Sequence, residues 1–166
     1  MWTGCLTSCG RSVPSMTEHS SIRQELEERG VLVYTSVGVS MRPLIRQGRD
    51  LLVIERPAGR LNNYDIALYQ RKTGQYVLHR IVRVEADGYV FCGDNCARRE
   101  YGITDSQILG VLTGMERGGR QLSLSSPCCR LYGRLWVGLY PLRAPFLYLR
   151  DWLRRKKHAL ERRKPE

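Results

Sequence analysis

The chain has 166 residues, of which 42% are hydrophobic and 26% charged, and it carries a formal net charge of +11. That length and balance suit one globular domain with a sizeable core and exclude a fibrous or wholly disordered chain. More than half of the excess charge lies at the end, where residues 143–166 hold nine Lys/Arg against three Asp/Glu; such a tail points to an anionic partner, lipid headgroups or nucleic acid.

In chain order, Met1–Ser15 lacks the apolar core and early positive charge of a secretion signal, and Met16 reads as a more convincing start. Ser21-Ile22-Arg23-Gln24 has the form of a helix capping box and Gly30 that of a stop, which predicts a helix of about two turns. From Val31 the pattern changes to strands: Val31–Ser36, Leu51–Glu55, Asp65–Arg71, Gln75–Glu85, Tyr89–Cys92 and Ile108–Met115. Lys72-Thr73-Gly74 and Ala86-Asp87-Gly88 between them are hairpin signals. Leu131–Leu149 is aromatic and apolar but interrupted by Gly133, Gly138, Pro141 and Pro145. Beyond it, Leu149, Trp152, Leu153 and Leu160 fall at helical spacing with Arg154, Arg155, Lys156 and Lys157 between them, a basic amphipathic helix of the kind that lies in a membrane interface. The expected fold is therefore mainly β, a compact domain over 31–125. A leader and short helix (1–30) precede it, and an aromatic, basic segment (126–166) follows.

The six cysteines do not form a disulfide framework. Cys128 and Cys129 are adjacent, and the Cys5/Cys9 and Cys92/Cys96 spacings lack the second ligand pair of a zinc site, so no metal or other cofactor is expected and reduced thiols are the plainer reading. No run of about 18 apolar residues exists to span a bilayer. The expected location is peripheral on a membrane, through residues 149–164, or cytoplasmic.

Gly38-Val39-Ser40-Met41-Arg42-Pro43 displays a serine between a permissive glycine and a proline-fixed segment. His79 stands in the strand-like run Tyr76-Val77-Leu78-His79-Arg80-Ile81-Val82, where an imidazole has no packing purpose. A serine hydroxyl needs such a base within reach to become a nucleophile. Together with Leu44–Gly48, Leu51-Leu52-Val53, Asp65–Tyr69 and Gly93-Asp94-Asn95, these segments resemble, over about residues 36–114, the type I signal peptidases and their relatives, the LexA-type self-cleaving repressors. The resemblance implies a signal-peptidase-like β fold, Ser40 as nucleophile and His79 at the position of the general base, which is a histidine in the endoplasmic-reticulum type. The other ionisable candidates agree. Lys156, Lys157 and Lys164 are in the tail, Lys72 is in a turn, His19 is N-terminal and His158 is in the tail.

Asp94 matches the family's acid and is the first choice to orient His79, with Glu100 and Asp105 as alternatives and a local turn role for Asp94 equally open. The family's Gly-Asp after the serine reads Gly48-Arg49-Asp50 here, so the acid has moved one place or a bulge is present. Gly38 offers no side-chain hydroxyl, which leaves the oxyanion to backbone N–H groups, chiefly that of Ser40. Met41 lines the pocket before the cut or packs in the core.

The expected function is a serine endopeptidase that cleaves an extended signal or precursor peptide after small residues, the substrate added as a strand beside Ser40 and His79. A processing peptidase for a small cytosolic precursor is the variant reading, and a non-catalytic binding module on the same fold is the other. A repressor would need a helix-turn-helix before the strands, for which some 30 residues are too few. Nucleic-acid binding by the tail lacks an aromatic stacking platform.

Overall fold

The computed structural model describes residues 22–35 and 37–161, with side chains as far as Lys157. Met1–Ser15, Met16, His19, the Ser21 cap, Cys5, Cys9, Ser36 and residues 162–164 of the basic run lie outside the described residues, as do the side chains of His158 and Leu160.

The protein is mainly β. Helix α1 (Ile22–Arg29) precedes β1 (Val31–Thr35), β2 (Asp50–Glu55), β3 (Ile66–Gln70), β4 (Tyr76–Glu85), β5 (Gly88–Cys92), β6 (Arg99–Ile103), β7 (Ile108–Arg117) and β8 (Arg120–Ser123), and helices α2 (Pro127–Gly138) and α3 (Tyr140–Glu161) close the chain. The strands form one antiparallel sheet in the order β1-β2-β7-β3-β4-β5-β6, with β8 on the second half of β7. Register shifts in the β2/β7, β3/β7, β4/β5 and β5/β6 pairings bend the sheet, as bulges do.

Strand β3 shows why the bent sheet encloses two cores. Successive side chains alternate faces, so Ile66 and Leu68 enter one apolar cluster with Leu26, Leu52, Ile54 and Leu112, while Ala67 and Tyr69 enter another with Val77, Ile81, Tyr89 and Phe91. Burying each large side chain contributes about 1.5–3 kcal/mol. Leu26 of α1 is 2% exposed in the first cluster, so this helix shares the core of the sheet that sequence composition sets apart from it.

The end of the chain differs most from its expected organisation. Helix α2 starts where Pro127 enters the first turn and Ser126 accepts from the Cys129 N–H (3.4 Å), an N-cap of ordinary type. It runs straight through Gly133, which reads as a breaker in isolation. A Cβ on Gly133 would stand 3.0 Å from Arg80 Nη1 and 3.3 Å from Tyr64 Cβ, so the glycine is what lets the helix lie against the sheet. Helix α3 likewise contains Pro145 and begins nine residues before the amphipathic stretch that Leu149 opens in the sequence reading.

Candidate active site

Ser40 occupies a turn between β1 and β2. The Arg42 N–H donates to the Val39 carbonyl (3.2 Å) and the Ile45 N–H to the Met41 carbonyl (3.0 Å). Met41 and Ile45 are 3% and 1% exposed in the first core cluster, and they pin the turn so that Ser40 between them and Gly38 remains half-exposed. Met41 is thus a core residue and is not among the described residues that line the cavity at Ser40. Gly38 does line that cavity, at φ +119°, a backbone conformation that favours glycine. The Ser40 N–H has no acceptor among the described residues.

His79 sits on β4 opposite Ala67 of β3 and is buried. Its Nδ1 lies 3.3 Å from Glu100 Oε1 and 3.4 Å from the Tyr69 hydroxyl. Its Nε2 faces the other way. A Cβ built on Gly93 would stand 3.0 Å from His79 Nε2, 2.8 Å from the Ser40 carbonyl oxygen and 2.7 Å from Cys96 Sγ. Gly93 is therefore the gap across which His79 and the Ser40 turn approach each other, and any side chain there would fill it. Among the described residues no hydrogen bond joins the Ser40 hydroxyl to His79; in unliganded sites such bonds are often long and tighten only around substrate.

The acid beside His79 is Glu100, not Asp94. Glu100 reaches it from β6 and is clamped by Arg71, whose Nε donates to Oε2 at 2.8 Å. Burial alone would raise the Glu100 pKa, but hydrogen bonds from His79 and Arg71 hold it well below the usual carboxylate range. A fixed carboxylate at Nδ1 keeps the imidazole proton there and leaves Nε2 as the basic nitrogen. Burial raises the Tyr69 hydroxyl well above its ordinary value, so this neighbour stays neutral.

Asp94 has a different occupation. Its carboxylate receives Arg80 Nε and Nη2, each at 2.8 Å, and the Tyr132 hydroxyl at 3.3 Å. With Arg80 and Asp94 each 2% exposed, this is a buried, bidentate ion pair, which costs much to break. Arg80 is also the residue at which β4 adds β5 to its pairing with β3, being opposite both Ile66 and Cys92. The third acid, Asp105, accepts from the Tyr89 hydroxyl and is away from His79. Asp50 opens β2 directly after the Ser40 turn. It is fully buried, receives Arg117 Nε at 2.9 Å and the Arg46 N–H at 2.8 Å, and closes the base of the turn.

Two further parts of the site have little sequence signal. Asn95 stitches the Gly93–Asn95 loop to the serine turn: its N–H donates to the Ser40 carbonyl at 2.7 Å and its Nδ2 to the Val39 carbonyl at 3.0 Å. Helices α2 and α3 then hold the same loop from outside. Trp136 Nε1 donates to the Asp94 carbonyl (2.9 Å), Tyr140 to the Ala97 carbonyl (2.6 Å) and Arg150 to the Asn95 carbonyl (3.1 Å). A cavity of about 480 Å³ opens beside Ser40, with one wall from the Asn95–Arg98 loop and the other from α3. Within it Cys96 is a free thiol whose pKa burial raises, and buried Cys92 is pushed up to about 12 by the same cause. Among the described residues no group of three His, Cys, Asp or Glu side chains could hold a metal ion.

Comparison with protein-family models, with characterised proteins and with solved structures finds no match to this chain.

Proposed function

We propose that the chain is a serine endopeptidase of signal-peptidase type and fold, using Ser40 as nucleophile, His79 as base and Glu100 to orient it. One observation carries the reading: His79 has a carboxylate on Nδ1 and the serine turn on its Nε2 side, although the three residues come from separate segments. In this scheme Nε2 takes the Ser40 proton as the oxygen attacks the scissile carbonyl, then returns it to the leaving amine, and water resolves the acyl-enzyme. The Ser40 N–H faces the developing oxyanion. Val77–His79, in the first part of β4, pairs with β3 on one side, and β5 joins β4 on the other side only from Arg80 onward among the described residues, an edge on which an extended peptide can add. Small residues before the cut are the expected specificity.

The test is labelling of the full chain with a fluorophosphonate, joined to cleavage of a peptide library rich in small residues. Labelling at Ser40, and loss of label and cleavage in both Ser40→Ala and His79→Ala with the double variant little worse, is expected because the pair acts as one unit. An imidazole base works only when neutral, so cleavage should also fall on acidification. Cleavage that survives Ser40→Ala but not Cys96→Ala would transfer the nucleophile to the neighbouring thiol and overturn the assignment.

We also propose that the helical end of the chain docks on an anionic membrane surface. Leu131 and Leu135 of α2 and Leu142, Phe146, Leu149 and Leu153 of α3 are 53–77% exposed. The four on α3 recur at i, i+4, i+7 and i+11, one face of a helix, with Lys156 and Lys157 beside them. No helix among the described residues is long and apolar enough to cross a membrane.

A further inference from the structure

The cavity beside Ser40 is bounded by arginines that the scheme above does not use. Arg98 stands on the loop wall, and Arg150, Arg154 and Arg155 stand on the α3 wall. They divide by what they already hold. Arg150 is committed: it donates to Asn95 and, through Nε (3.0 Å) and Nη2 (2.8 Å), to Asp151, the one acid on that wall among the described residues. Arg98, Arg154 and Arg155 are exposed and have no acid partner among the described residues. Among the described residues, three guanidinium groups without an acid partner therefore border the cavity of the candidate active site, one from the loop wall and two from α3.

We propose that this site selects peptides carrying acidic side chains within a few residues of the scissile bond, a specificity that rests on the endopeptidase reading of Ser40. The chemistry favours carboxylates because guanidinium presents a planar fork that matches them. The dimensions agree. Arg150 is bonded to the residue that holds the Ser40 carbonyl, and Arg154 lies one helical turn further on, about 6 Å along the axis at 1.5 Å per residue. An extended peptide advances about 3.4 Å per residue, so acids some two to four residues from the cut come opposite the free arginines. The rim reaches only the residues beside the cut, so the substrate class it favours is precursor peptides with acids at those positions. A phosphate backbone would also be attracted by charge, but Tyr148 is the sole aromatic in the lining among the described residues, too little for base stacking.

Binding of fluorescent ten-residue peptides to the full-length Ser40→Ala chain, read by anisotropy, tests the proposal without needing turnover. One peptide carries Asp and Glu around a central Ala-x-Ala, and its twin carries Asn and Gln. The acidic peptide should bind about tenfold tighter at low salt, the sum expected of several exposed charge pairs. The contrast should shrink in about 0.5 M salt. It should also collapse in Arg154→Glu/Arg155→Glu and, from the opposite wall, in Arg98→Glu. Equal binding of the twins, or a contrast that survives both charge reversals, would overturn it. Displacement of the acidic peptide by a single-stranded oligonucleotide of equal charge at the same concentration would overturn it too, in favour of phosphate. Failure of the peptidase reading would show separately, as cleavage or labelling that persists in Ser40→Ala.

Discussion

Two carboxylates near the candidate site do different work, and single-residue changes separate them. Glu100→Gln keeps a side chain of the same shape at His79 Nδ1 but can present its amide N–H there, favouring the wrong tautomer. Cleavage should fall by about 10²- to 10⁴-fold with little change in the denaturation midpoint. Asp94→Asn breaks the buried pair with Arg80, so stability should fall by about 3–5 kcal/mol, readable as a lower urea midpoint. The reverse pattern would return the orienting role to Asp94. Sequence favours Asp94 because it stands in Gly93-Asp94-Asn95, whereas Glu100 is brought to the histidine by β6. That strand, Arg99-Glu100-Tyr101-Gly102-Ile103, has charges, a glycine and an exposed tyrosine at 63%, and so no alternating apolar face to read. Its pairing with β5 makes it a strand. Ser40, His79 and the alternative acid Glu100 are legible in the sequence; which acid the histidine meets depends on a register that local pattern does not encode.

Among the elements, β2 and β7 are tied to the Ser40 turn by the Asp50–Arg117 pair. Hydrogen bonds from Arg117, opposed by burial and aided by the Arg46 N–H, hold the Asp50 carboxyl below its ordinary 3.8. A depressed folded-state pKa means that the native state prefers the ionised form. The contribution is present in full above the ordinary value and is lost as pH falls below it through the folded value. Urea midpoints at pH 7, 5 and 3 should therefore drop more steeply between pH 5 and 3 for the wild type than for Asp50→Asn, which is already less stable at pH 7. Parallel curves would show that the pair does not couple to protonation. The six strands expected from sequence each match an observed strand to within a residue or two, because their side chains alternate or are buried on both faces. The helices are less legible. Glycine and proline in Leu131–Leu149 read as breakers, and only the approach of α2 to Arg80 explains why a glycine at 133 favours the helix.

For the molecule as a whole, net charge and apolar exposure point the same way. Exposed apolar side chains line α2 (Leu131 and Leu135) and one face of α3 (Leu142, Phe146, Leu149 and Leu153), and Lys156 and Lys157 follow on α3. Co-sedimentation with vesicles containing phosphatidylserine should retain the full chain and lose it as salt rises, since each basic residue near such a surface contributes about 1 kcal/mol that screening removes. Leu142→Ser/Phe146→Ser/Leu149→Ser should weaken retention without altering the fold, because these side chains already face solvent. Equal retention of the two proteins would reduce the face to ordinary surface. The C-terminal half of this stripe is readable from helical spacing alone; the α2 half depends on a helix whose glycines hide it.

The site and the stripe occupy opposite sides of α3. Ala144 and Leu147 are buried against the domain, and Asp151 and Arg154 face the cavity, while Phe146 and Leu149 point outward. With the stripe settled in a bilayer, the helix itself becomes a spacer, and Ser40 stands at least a helix diameter, roughly 10 Å, above the plane. A bond lying at the lipid boundary would be out of reach. A tethered substrate would be cut only where some three or more extended residues, at about 3.4 Å each, lift it clear of its anchor, so that the thickness of one helix acts as a ruler.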